Sequence, residues 1–89
     1  MNLTKGIILK KISNANYIVK DLFDSRQIRM SVSGKKIMEF SKFNIGDIIY
    51  LQVFPYEKDR GRFFTELEIK KYFPIEVKVE LDNREPKNK

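Results

Sequence analysis

Cysteine and histidine are both absent from this 89-residue chain. Without cysteine there can be no disulfide and no thiolate metal site. Without histidine the usual general base at neutral pH and the commonest metal ligand are missing. No stretch approaches the roughly 20 apolar residues of a membrane span. The opening residues, Met1-Asn2-Leu3-Thr4-Lys5-Gly6, lack the apolar run of a signal peptide. No basic amphipathic helix stands out that would lie on a membrane. The expected setting is the cytoplasm, or the stroma or matrix of an organelle. Catalytic chemistry has little to work with. The carboxylate pairs Glu57/Asp59 and Glu66/Glu68 sit among cations or on an expected strand, with no apolar pocket to tune them. No nucleophile triad, glycine-rich phosphate loop or metal-ligand cluster occurs. A protein that is not an enzyme and carries no cofactor is expected.

What the chain does have is charge of one sign in one region. Residues 1–62 hold twelve Lys/Arg against six Asp/Glu, while the remainder holds six of each. The whole excess of +6 therefore belongs to the first two-thirds. Six of those cations fall in two stretches: Lys35, Lys36 and Lys42, then Lys58, Arg60 and Arg62. Both stretches interrupt runs of strand-forming residues. Cations gathered on the loops of a small β domain form a surface suited to phosphates. The length allows one domain with a thin core, burying about 60–65% of the surface its unfolded chain exposes.

Strand signals recur along the sequence. Residues 6–12, 17–22, 27–32, 48–54 and 62–69 read as five strands separated by turn residues. The third alternates cleanly, with Ile28, Met30 and Val32 facing a core and Gln27, Arg29 and Ser31 facing out. Residues 35–44 lack a period of two and read as a short helix or irregular loop. Gly46-Asp47 suits a turn, and Pro55 should end the fourth strand because it cannot donate to a ladder. Five short strands with a longer interruption after the third describe an all-β OB-fold, a five-stranded Greek-key barrel, over residues 1–69. An SH3-like barrel fits the longer interruption less well. Residues 70–89 form a C-terminal extension. Within it 75–81 alternates perfectly, the pattern of a sixth strand, and 82–89 has no large apolar residue, the pattern of disorder.

The candidate contact residues are Gly34, Lys35, Lys36, Ile37, Met38, Lys42, Tyr56, Lys58, Arg60 and Arg62. Gly34 allows close backbone approach, and the lysines supply point charges on flexible stems. Ile37 and Met38 either insert against bases or plug the barrel's end. Tyr56, after Pro55, reads as exposed and free to stack on a base; Tyr17 reads as core. Glu57 and Asp59 could pair with Arg60 and Arg62, but exposed pairs are worth only about 0–1 kcal/mol and would not hold arginine from a phosphate. Arg29 lies on the strand 2–3 face that OB-folds often use.

Gly6, Leu9, Asn14, Tyr17 and Val19, then Ser33-Gly34-Lys35, Gly46-Asp47, Pro55-Tyr56 and Gly61-Arg62 occur in an order and spacing that resembles bacterial-type translation initiation factor one. The resemblance covers roughly residues 3–65, with about one extra residue near Asp24. It implies an OB-fold factor without catalytic activity that binds the small ribosomal subunit near the A site. The implied partners are ribosomal RNA, a neighbouring ribosomal protein and other initiation factors, met as a monomer. The RNA-inserting loop would start at Lys35-Lys36-Ile37-Met38, with Lys42 later in it and Arg60 and Arg62 bracketing the last loop. The family usually follows Ser-Gly-Lys with Met-Arg-Lys where this chain has Lys-Ile-Met, and Thr65-Glu66-Leu67-Glu68 replaces its Arg-rich final strand. These departures describe a divergent bacterial or organellar member.

Three other functions compete. A cold-shock-type binder of single-stranded RNA would use clustered aromatics, which residues 27–32 lack. A protein-interaction module would pair its 75–81 run with a partner's sheet edge. A small nuclease would rest on Glu57 and Asp59. The initiation-factor expectation carries a geometric requirement: the cations of the two basic stretches should converge at one end of the barrel.

Overall fold

The structure is a computed structural model and describes residues 3–84. Five strands, β1 (Leu3–Ser13), β2 (Asn16–Asp21), β3 (Gln27–Ser31), β4 (Ile48–Val53) and β5 (Arg60–Phe64), close into a barrel. The order around it is β1-β2-β3-β5-β4, with β4 returning to β1. Only β3 and β5 run parallel; the other neighbours are antiparallel. This is the OB-fold expected from the strand count.

Period-two alternation builds the core. Ile8, Val19, Ile28, Met30 and Leu51 point inward and are almost wholly buried. Burying each such side chain is worth about 1.5–3 kcal/mol. Gly61 takes a buried position in the same alternation, and a Cβ there would lie 2.5 Å from the Gln52 carbonyl oxygen, so the close approach of β4 and β5 needs glycine. A 3-10 turn at Gly34–Lys36 leads into α1 (Ile37–Phe40). Phe40 drops into the barrel's open end against Tyr17 and Phe63, with ring centroids 4.6 and 4.9 Å away. That resolves the 35–44 segment as a short helical plug. Gly46, at φ 96°, turns the chain into β4 in a conformation that favours glycine.

The C-terminal third departs from expectation. β5 stops at Phe64 rather than running over 62–69. Thr65 caps α2 (Glu66–Tyr72) instead: its Oγ1 accepts the Glu68 N–H at 3.0 Å, and Glu68 Oε1 accepts the Thr65 N–H at 2.9 Å. This capping box satisfies two donors that a helix start would otherwise leave bare. The sixth strand over 75–81 is likewise corrected to a helix, α3 (Ile75–Asn83). Both edges of β5 are already paired, so the chain leaving it meets no strand edge. Pro74 supplies a helix-compatible φ of −59° at the start, and Lys78 pairs with Asp82 one turn on at 2.6 Å. The disorder expected from residue 82 does not begin there, since Asp82 and Asn83 are helical; residues 85–89 lie outside the described residues. Helix α2 crosses residue 69, where the sequence placed the barrel's boundary, and Ile69 is fully buried.

Helices α2 and α3 pack on the outside of β1, β4 and β5. Lys5, Tyr50 and Phe64 are register neighbours there. Phe73 meets the Phe64 ring at 5.9 Å, and the Tyr50 hydroxyl donates to Asp82 at 2.7 Å. Beyond the end of α3, Arg84 lies 4.4 Å from the Phe23 ring centroid. Among the described residues no helix is long and apolar enough to cross a membrane.

Candidate nucleic-acid interface

The parallel register sets Arg29 beside Arg60 and Ser31 beside Arg62. Met30 and Gly61 between them are buried, so Arg29, Arg60 and Arg62 project outward from one surface. Antiparallel pairing extends the rows: Ile18 lies beside Arg29, Asn16 beside Ser31 and Gln52 beside Arg62. Arg62 Nε donates to Gln52 Oε1 at 3.1 Å, which orients its guanidinium. Among the described residues no carboxylate lies within 4.0 Å of Arg29, Arg60 or Arg62. Like charges on adjacent strands repel, and an anion laid across them removes that cost.

Half-buried Phe54 completes this face. It lines a small cleft of about 120 Å³ with Arg29 and Arg60, and a wider one of about 480 Å³ with Lys36 and Arg62. Asn16 and Ser31 line both clefts and add short polar groups. Cations, amide and hydroxyl groups around one aromatic suit a sugar-phosphate chain with a base nearby.

The expected convergence at one end does not occur. β3 and β5 are parallel, so residues 32–47 leave the C-terminal end of β3 while residues 54–59 enter the N-terminal end of β5. The two basic connections stand at opposite ends of these strands, with the arginine face between them. Lys35 and Lys42 are exposed at one end, along with Met38, which is 85% exposed. Ile37 is only partly exposed, beside the Phe40 plug. Gly34 has open space around it. Tyr56 stands fully in solvent at the other end, and Lys58 lines a cavity of about 600 Å³ with Phe23 and Arg84.

Lys36 has a different job from the one expected. Its ammonium donates to the Phe63 carbonyl at 2.9 Å and pairs with Glu68 at 2.9 Å, while lying 5.1 Å from the Phe64 ring. It ties the 3-10 turn to α2. Burial alone would raise the Glu68 pKa, but hydrogen bonds from Thr65 and Lys36 outweigh it and hold the carboxyl below its ordinary value. Tyr17 is packed against Phe40, in keeping with a core position. Asp47 accepts the Asn44 N–H at 2.8 Å, a turn role.

Sequence reasoning passed over Phe54 and Asn16 as contact residues, and it weighed Arg29 and Ser31 apart from Arg60 and Arg62. The alternation over 27–32 already placed Arg29 and Ser31 outside. Their adjacency to Arg60 and Arg62 comes from parallel pairing of strands distant in sequence, which no local pattern announces.

The opposite face is electrostatically closed. Asp82 accepts from Tyr50 at 2.7 Å and from Lys78 at 2.6 Å, with Lys5 at 3.7 Å; Lys78 also reaches Glu66 at 3.3 Å. Partial burial would raise the Asp82 pKa, but the Lys78 and Tyr50 hydrogen bonds and the charges of Lys78 and Lys5 prevail and lower it. Desolvation and the neighbouring Asp82 push the Tyr50 hydroxyl up. No protein-family model matches the chain.

Proposed function

We propose that this protein binds RNA across the outer face of β2, β3 and β5, and that it docks on the small ribosomal subunit near the A site as an initiation-factor-one-like protein. One observation carries the reading: three outward guanidinium groups on adjacent OB-fold strands, without a carboxylate partner among the described residues. In this reading Arg29, Arg60 and Arg62 hold phosphates, and Arg62 is pre-oriented by Gln52. Phe54 offers a surface for one base or sugar. Lys35 and Met38 meet the RNA past one end of the face, and Tyr56 with Lys58 past the other. The ribosomal address, with its neighbouring ribosomal protein and other initiation factors, rests on the sequence resemblance alone, because the one-end convergence it required is not met and the arginine face between the two ends stands in its place. The arginine face supports the RNA contact.

Sedimentation with purified small and large ribosomal subunits tests it. The protein should pellet with the small subunit alone. Five phosphate contacts, from the three arginines, Lys35 and Lys58, give a slope of log K against log salt of about −4. Equal binding to both subunits, or a flat salt response, would overturn the reading. A general single-strand binder of cold-shock type is disfavoured by the outer residues of β2 and β3. Asn16, Ile18, Lys20, Gln27, Arg29 and Ser31 include no aromatic. Free oligonucleotide should therefore compete poorly with the small subunit.

A further inference from the structure

We infer that the cleft beside the free half of β1 is a docking site for an extended peptide segment carrying a large apolar residue flanked by carboxylates. The inference is independent of the RNA reading. β1 pairs with β4 only over residues 3–7, and two contacts at Ile8 close that seam. Residues 9–13 run on, paired with β2 on one side and with no strand on the other among the described residues. Unpaired backbone of this kind is a ready template for an added chain.

The open side faces a cleft of about 310 Å³ between the β1–β2 hairpin and residues 41–45. Its walls are apolar: Tyr17, Ile37, Phe40, Phe43 and Ile45 line it. Ile45 is 58% exposed, a large apolar side chain left in water beside an apolar hollow. The polar rim consists of Lys11, Asn14, Ser41 and Asn44, and among the described residues no carboxylate lines the cleft. A pocket mostly apolar with a few convergent polar groups is the usual form of a recognition site.

Charge complementarity selects the occupant. Lys11 lines the cleft and Lys10 points from the opposite face of the free half of β1, so a partner with Glu or Asp beside its apolar anchor gains a cross-strand pair on either face. A second copy would set these lysines against their own equivalents, which disfavours self-pairing. RNA fits less well, because the two cations of this segment point to opposite faces whereas three stand on one face at the arginine site. Pairing with β2 skips Leu9 and Ile12, so the strand bulges at both, which further rejects indiscriminate strand addition.

The probe is a blocked eight-residue peptide alternating leucine and glutamate, with a leucine–lysine peptide as control, followed by backbone amide NMR of the full chain. The leucine–glutamate peptide should give saturable shifts at residues 9–12 and 41–45, and the lysine control none. Lys11→Glu should weaken that binding roughly tenfold and let the lysine peptide bind instead. Ile45→Asp, at an exposed position, should abolish it. RNA affinity should be unchanged in both variants. The inference is overturned if no saturable shift appears at these residues at about 1 mM peptide. Equal binding of the two peptides, shifts confined to Arg29, Arg60 and Arg62, or displacement of the peptide by RNA would overturn it as well.

Discussion

Two faces of one barrel carry charge in opposite ways. On the β1–β4 side the chain folds back over its own strands, and the charged groups at the centre of that contact are paired. Lys5, Lys78 and Asp82 cluster around the Tyr50 hydroxyl, and Glu68 holds Lys36. On the β2–β3–β5 side three arginines stand side by side with no acid to meet them among the described residues. The covering segment, residues 66–84, has four cations and five acids, against the barrel's excess of +6. The extension thus supplies carboxylates to one face and leaves the other basic. Residue type alone does not say whether a cation is structural or available. Lys35 and Lys36 are neighbours in sequence, yet one is in solvent and the other is bonded to Phe63 and Glu68.

The comparison can be broken most forcefully from the covered side. Ile69 is fully buried in α2. Ile69→Ala should cost about 2–5 kcal/mol in urea unfolding, while the folded fraction keeps its RNA affinity. A comparable loss of RNA affinity per folded molecule would show that the two faces are coupled.

The lysine pair gives a finer division. Lys36→Met leaves the Phe63 carbonyl and Glu68 without their partner, and should cost about 1–2 kcal/mol of stability. It should leave the salt slope of RNA binding untouched. Lys35→Met should do the reverse, leaving stability within about 0.5 kcal/mol. Thermal melts paired with salt titrations distinguish the two.

The smallest expected effect concerns acid. Asp82 and Glu68 have folded pKa values held below their ordinary ones. Such groups contribute stability at pH values above the unfolded carboxylate pKa, and the contribution is lost as pH falls through the lower folded value. Acidification from neutral pH to below about 4 should therefore loosen α2 and α3 before the barrel opens. Tyr50 and Phe73 ring signals should broaden or shift ahead of those of Phe40 and Tyr17. Simultaneous loss of all four would contradict this separation.

Much of the barrel was legible because its strands alternate. Residues 27–32 announced both the inward Ile28–Met30 pair and the outward Arg29. The chain after Phe64 misled for the same reason. Thr65, Leu67 and Ile69 alternate as a strand would, yet Thr65 and Glu68 also form a capping box, and saturated edges on β5 favoured the helix. Over 75–81 a perfect alternation coexists with Pro74 and a Lys78–Asp82 pair at helical spacing. Short windows carry both periods, and the saturated edges of β5 with the helix starts at Thr65 and Pro74 decided between them. The site was legible as residue types and illegible as a place. Sequence grouped cations by loop, whereas register grouped them by strand, joining Arg29 to Arg60 and assigning Lys36 to the fold.

The most direct test of the arginine face is the salt dependence of RNA binding in the wild type and in the Arg29→Ala/Arg60→Ala/Arg62→Ala variant. The slope of log K against log salt should fall in magnitude from about −4 to about −1.5, with affinity at low salt down a hundredfold or more and the melting temperature unchanged. Equal slopes and equal affinities in the two proteins would contradict the account.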